Sequence, residues 1–260
     1  MNSAVFRWTS MVYSFLIYLF LYVPILILIV FSFNDSKLNA VWTGFTLKWY
    51  GKLLQNQGVL EATKNSLYVA FFSTVISTMI GTLAAVGMYR YSFKGKSVLD
   101  GLLYIPVVIP EIVLGVALLA FFVMIKMPLG LLTLVLAHIT FSIPFVVVVV
   151  KARLEGFDRS LEEAAMDLGA NQLQTFLKIT FPVIFPGILA GALMALTLSL
   201  DDVIISFFVA GPSSTTLPLK VFSMVKFGVS PEINALSTIL LLFVITIAVT
   251  AEKLRIKQEK

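Results

Sequence analysis

The strongest constraint on this chain is the length of its apolar runs. A transmembrane helix needs about 20 consecutive, mainly apolar residues. Such runs occupy 11–33, 66–88, 99–150, 183–209 and 234–251. The run 99–150 exceeds one crossing and is interrupted by Lys126-Met127-Pro128-Leu129-Gly130, so it divides into 99–125 and 131–150. Composition agrees: 59% of residues are hydrophobic and 13% charged, against about 25% charged in a soluble domain. The expectation is a single all-α integral membrane domain, 1–260, with six transmembrane helices. The run 11–33 is longer than a signal-peptide core and is followed by no small-x-small cleavage site. It is read as an uncleaved first span.

Orientation follows from the basic residues between the spans. With the N-terminus in the cytoplasm, every Arg (Arg7, Arg90, Arg153, Arg159 and Arg255) falls inside, with Lys94, Lys96, Lys151, Lys178, Lys253, Lys257 and Lys260. A smaller set (Lys37, Lys48, Lys52, Lys64, Lys126, Lys220 and Lys226) falls outside. This places both termini in the cytoplasm, and it accounts for the net charge of +5 without a nucleic-acid partner. The long outer loops are 34–65 and 210–233. The chain has no Cys, which excludes disulfides and thiolate metal sites.

A polar stretch, SLEEAAMDLGANQLQTFLKITFP, covers 160–182 between the fourth and fifth spans. Ser160 and Glu163 have capping-box spacing, which predicts a helix starting at Leu161. Leu161, Ala164, Ala165 and Leu168 form one apolar stripe. Gly169 stands where such a helix ends in the left-handed conformation. Asn171 and Gln174 repeat the cap spacing, and Pro182 is expected to stop the second short helix. The Ala-Ala-x-x-Leu-Gly look is shared by helix-turn-helix readers of DNA. From 151 to 182, however, the acids (Glu155, Asp158, Glu162, Glu163, Asp167) outnumber the bases (Lys151, Arg153, Arg159, Lys178), the wrong sign for phosphate. An amphipathic connector on the bilayer and a docking knob for a cytoplasmic partner both remain.

Glu163-Ala164-Ala165, Gly169, Ile179 and Phe181-Pro182 resemble the EAA loop of the permease subunits of binding-protein-dependent ABC importers. The family pattern ends in Leu-Pro, where this chain has Phe181-Pro182. Further stretches, FNDSKLNAVWTGFTLKWY, RYSFKGKS and SLDDVIISFFVAGPSSTTLPLKVFSMVKFGVSPEINALSTI, are similar to the spermidine/putrescine branch of that family. The resemblance implies a MetI-like permease fold in a bacterial inner membrane, with a cytoplasmic coupling-helix pair in the loop 151–182. It implies that Glu163, Ala164, Ala165, Gly169, Ile179 and Pro182 couple the chain to an ATP-binding subunit. It also implies the partners: a homologous permease, a dimer of ATP-binding subunits and an extracytoplasmic polyamine-binding protein.

ATP chemistry has no seat in this chain. Gly95-Lys96-Ser97 resembles the tail of a phosphate-binding loop, but position 90 is Arg and a membrane helix precedes it. No cofactor is expected here, and ATP and Mg are left to the partner. Ionisable groups inside spans are functional candidates. Glu111 lies in the third span, and Asp201 and Asp202 in the fifth. Acids without a basic residue at their depth suit a cationic solute, with Phe141, Phe207 and Phe208 as aromatic faces. These acids have an alternative role in capping broken helices or pairing with another subunit. His138, the single His, is expected to be a hydrogen-bonded interior residue, and no metal site is expected. An importer for another cationic or small solute remains an alternative, as does a scaffold. An intramembrane aspartyl protease is disfavoured, because Asp201 and Asp202 are adjacent on one helix.

Overall fold

Apolar runs that must satisfy their own backbone hydrogen bonds in lipid become helices. The computed structural model describes residues 3–36, 41–226, 228 and 230–258, with side chains from 7 to 246 within that set. Lys37, Lys260 and the side chains of Lys253, Arg255 and Lys257, used for orientation above, lie outside the described residues.

The helices are α1 (Ser3–Phe31), α2 (Lys48–Gln55), α3 (Gln57–Arg90), α4 (Lys96–Val108), α5 (Glu111–Met124), α6 (Leu131–Glu155), α7 (Ser160–Asp167), α8 (Gln172–Thr175), α9 (Phe181–Asp201), α10 (Ile204–Val209), α11 (Leu217–Lys226) and α12 (Pro231–Gln258). A π-turn, Phe176–Thr180, joins α8 to α9. Among the described residues, four helical segments are long and apolar enough to cross a membrane: Arg7–Phe31, Gln57–Arg90, Leu131–Glu155 and Gln172–Asp201. They become five if α4 and α5 count as one broken span. The expected sixth span falls in α12. Its described apolar part, Pro231–Thr246, is shorter than a crossing, and the side chains of 247–251 lie outside the described residues.

Two expected boundaries differ from the structure. The third span, 99–125, turns by 109° between α4 and α5. Pro110 disfavours helical backbone at the residue before it, and Ile109 is extended at φ −67°, ψ 133°. Glu111 therefore lies in the first turn of α5, not at mid-helix. The fifth span, 183–209, breaks after Asp201, where Asp202 is extended at φ −66°, ψ 125°. Pro182 does not end a helix, since one continuous segment runs from Gln172 to Asp201. The π-turn explains this. The Phe181 N–H reaches back to the Phe176 carbonyl, and the wider turn separates the proline from the carbonyls it would strike in a regular α-helix.

The chain forms two compact units, one from 1–60 with 221–260 and the other from 61–220. In the first, the Trp49 indole N–H donates to the Asn34 carbonyl (2.7 Å) and Tyr50 shares a hydrogen bond with Ser32 (2.7 Å). The Asn34 side chain ties Val41 and Thr43, and Asn56 donates to Glu232 at 3.0 Å. In the second, α6 packs along α9 through Val146, Val147, Val150, Ile184 and Ile188. Small residues permit the close approach. A Cβ at Gly81 would lie 2.7 Å from Val146, and one at Gly191 3.3 Å from it, so Val146 fills a notch between α3 and α9. Gly211 is tighter still, because its Cβ would fall 2.0 Å from the Leu129 carbonyl oxygen.

Candidate functional site

Two sites emerge within the 61–220 unit. The first is the polar loop after α6. Helix α7 begins at Ser160, one residue before the expected start, so Ser160 lies in its first turn and does not cap it. Asp158 does: its Oδ1 accepts the Ser160 N–H at 2.9 Å. That bond, with the Ser160 side chain, holds the Asp158 pKa below the usual carboxylate value. The short Asp side chain two residues upstream reaches the free N–H without displacing the chain, so it outcompetes the Ser160–Glu163 box.

The corner at Gly169 is left-handed, at φ +92°. Its N–H bonds to Met166 O (2.9 Å) and the Ala170 N–H to Ala165 O (3.0 Å), the paired bonds of a Schellman motif. The second cap forms as its spacing predicts. Gln174 N–H donates to Asn171 Oδ1 at 2.9 Å, and Asn171 N–H to Gln174 Oε1 at 3.0 Å.

The loop is anchored by residues that spacing does not reveal. Arg90, the last residue of α3, donates to Glu162 Oε1 and to Thr180 Oγ1 (3.0 Å), and the Thr180 hydroxyl donates to the same Glu162 oxygen. The Arg90 guanidinium also lies 5.7 Å from the Phe176 ring. Arg159 donates to the Tyr89 carbonyl (2.7 Å) while stacking on the Tyr89 ring. Of the adjacent glutamates, Glu162 is thus turned inward and Glu163 outward. Of the residues expected to couple, Glu163, Ala164, Gly169 and Pro182 are exposed, and Ala165 and Ile179 are half-buried. Leu161, Met166, Leu168, Leu173 and Leu177 add apolar surface around them.

The second site lies where α9 breaks. Breaking a helix inside an apolar layer frees backbone N–H groups that need acceptors. Asp202 supplies them: Oδ1 accepts from Ile205 N–H (3.1 Å), and Oδ2 from Ser206 N–H and Ser206 Oγ (2.7 Å each). Beside it stands His138 of α6, fully buried, with Nε2 3.2 Å from Ser206 Oγ and 3.4 Å from Asp202 Oδ2. Its Nδ1 is 2.7 Å from Ser199 Oγ, which accepts from Ser73 of α3 at 3.2 Å. These contacts form one continuous path: Ser73, Ser199, His138, Ser206 and Asp202. Helices α3, α6, α9 and α10 are thereby joined by one hydrogen-bonded chain.

The other expected residues separate into two groups. Phe141 is buried with its ring 5.2 Å from His138, and Phe208 is half-buried against Gly115 of α5. Glu111, Asp201 and Phe207 are exposed on the surface of this chain, and neither acid has an ion-pair partner among the described residues. At the first turn of α5, Glu111 lies where the helix dipole favours a carboxylate.

Residues 77–254 match the family described as binding-protein-dependent transport system inner membrane component. The chain is 48% identical over 236 residues to the spermidine/putrescine transport system permease protein PotC of Escherichia coli strain K12, covering 91% of this chain and 89% of that protein. It is 46% identical over 229 residues to the putrescine transport system permease protein PotI of the same strain, covering 85% and 82%. Among solved structures it resembles a bacterial ABC transporter involved in the import of the acidic polysaccharide alginate. The TM-score is 0.78 over 97% of this chain and 98% of that one, at 16% identity, a likeness of fold alone.

Proposed function

The chain belongs to the binding-protein-dependent transport system inner membrane components, and on that premise we propose that it is one permease subunit of an ATP-driven polyamine importer. The 48% identity across 91% of the chain to a spermidine/putrescine permease carries this reading. Glu111 and Asp201 supply the chemistry. They are exposed carboxylates in apolar stretches of the chain, suited to the ammonium groups of a flexible polycation, and the exposed Phe207 ring offers an aromatic face for the same cation. Asp202 holds the α9–α10 break, so that Asp201 is presented outward. Phe141 and Phe208 back the pathway from within.

The outward face of α7, with Glu163, Ala164 and Gly169, docks a separate ATP-binding subunit in the cytoplasm. That subunit binds and hydrolyses ATP with Mg, and this chain holds no cofactor. A homologous permease completes the pathway, an extracytoplasmic polyamine-binding protein delivers the solute to the outer loops, and both termini lie in the cytoplasm. The cargo is tested by uptake of labelled spermidine, putrescine and a neutral amide in cells lacking only this gene, and in the same cells complemented. Uptake of either polyamine should return with the gene. Unchanged polyamine uptake in the deletion strain would remove the assignment.

A further inference from the structure

Movement of α7 has covalent routes into the membrane helices on either side of the loop, back to α6 and forward through Gly169 to α8 and α9. Helix α3 has no such route, because its nearest covalent path to α7 runs through α4, α5 and α6. It nevertheless holds the loop through four hydrogen bonds. The Arg90 guanidinium holds Glu162 of α7 and Thr180 of the π-turn together. Tyr89 holds the approach to α7 from both ends of its own residue: its carbonyl accepts from Arg159 (2.7 Å), and its hydroxyl donates to Phe157 O (3.3 Å). The side chains of Arg90 and Glu162 are only 20% and 13% exposed, and Thr180 is buried. A charge-assisted triad so sheltered is stiff compared with a surface pair.

The opposite end of α3 is also tied. The Asn65 side-chain amide donates to Ser213 O (3.3 Å) and Thr215 O (3.1 Å), and Ser66 Oγ accepts the Leu217 N–H at 2.7 Å. These carbonyls and this N–H belong to the outer segment that follows α10. Between Asn65 and Arg90 the helix is unbroken, a rod of roughly 37 Å at 1.5 Å per residue. Along it, Gly81 seats Val146 of α6 and Ser73 reaches Ser199 of α9.

We propose that α3 is a strut between the two faces of the transporter. Arg90, Glu162 and Thr180 form its inner joint, and Asn65 and Ser66 its outer joint. Displacement of α7 by the ATP-binding subunit would then reach the outer segment 213–217 directly, and a change in that segment would reach α7 by the same rod. These are positioning residues: none is placed against solute or nucleotide. The inference rests on the proposed docking of the ATP-binding subunit at α7.

The test uses the whole transporter in proteoliposomes, with its partner permease, ATP-binding subunits and binding protein, and measures spermidine uptake and ATP hydrolysis together. Arg90→Gln and Glu162→Gln should retain the ATP-binding subunits and hydrolyse ATP. Uptake per ATP should fall at least about fivefold, the lower end of ordinary coupling factors. The exchange Arg90→Glu with Glu162→Arg should restore part of it. Asn65→Ala with Ser66→Ala, at the far end, should weaken stimulation of hydrolysis by the loaded binding protein. Thr180→Val, which removes the hydroxyl at nearly constant volume, carries the same expectation as Arg90→Gln should that variant fail to accumulate. Wild-type uptake per ATP in Arg90→Gln or Thr180→Val overturns the strut. So does loss of the ATP-binding subunits from the Glu162→Gln complex, which would make Glu162 part of the docking face. A wild-type complex that moves no spermidine would instead refute the cargo reading, and a Glu163→Lys complex with normal assembly would refute docking at α7.

Discussion

Asp201 and Asp202 are neighbours in the chain but occupy opposite environments, so the same small change should act on different observables. In Asp202→Asn, the amide must place its NH2 against either Ile205 N–H or the Ser206 donors, since both carboxylate oxygens accept backbone N–H groups. The less costly orientation keeps Ser206 and orphans the Ile205 donor, at about 1–3 kcal/mol for an unsatisfied buried group. The remaining bonds lose their charge assistance and roughly half their strength. The sum is about 2–4 kcal/mol, or a fall in Tm on the order of 5–15 °C for a chain of this size. Asp201→Asn alters an exposed side chain and should change stability by no more than about 0.5 kcal/mol. Its loss should appear in transport, at about tenfold or more in uptake efficiency, because a carboxylate facing a cation is worth roughly 1.5–3 kcal/mol. Thermal unfolding of the purified chain and spermidine uptake by the assembled transporter measure the two effects. Equal Tm values for wild type and Asp202→Asn, or a matching fall in Asp201→Asn, would refute the division of labour.

Three further outcomes follow from the geometry. Gly211→Ala places a methyl 2.0 Å from a backbone carbonyl that cannot move aside, and should cost at least about 2 kcal/mol. Gly115→Ala places its methyl 2.7 Å from the Phe208 ring edge, a side chain that can turn aside, with the Ile205 backbone at an ordinary 3.4 Å; it should cost less, so Tm values in the reverse order would count against the packing described. Glu163→Lys should weaken retention of the ATP-binding subunits on an affinity column without lowering Tm, because Glu163 is exposed. A cysteine at Gln172 should react with an impermeant maleimide in inverted vesicles and not in intact cells; the opposite pattern would reverse the topology.

Local signals in the sequence translated well. Four of the apolar runs lie in helices long enough to cross a membrane, the break at 126–130 became the turn with Lys126 at φ 57°, and Gly169 and the Asn171–Gln174 box formed as their spacing predicts. Legibility ended where an outcome depended on competition or on partners distant in the chain. Ser160 lost its cap to Asp158, whose Oδ1 takes the Ser160 N–H. Pro182 was absorbed by a π-turn that no residue pattern announces. Arg90 and Glu162 are 72 residues apart, and His138 and Ser199 are 61 apart. These pairs meet only because helix packing brings their faces together, so Arg90 reads in the sequence merely as one more cytoplasmic charge.

The π-turn at Phe176–Thr180 also sets the rotational phase of everything after it. It contains one residue more than a regular α-turn would need, and each residue advances a helix by about 100°. Removing one residue from 176–180 would keep the helix intact but rotate α9 by roughly that angle against α8. Gly187 and Gly191 would swing away from Arg153 and Val146, which now fill the space where their side chains would be. Ser199 would leave His138, and Asp201 would face a different neighbour. The rotational setting of α9 therefore depends on the length of this turn as well as on the Phe176 and Thr180 side chains within it, and a single-codon deletion there would act at the far end of α9, about 30 Å away by helical rise.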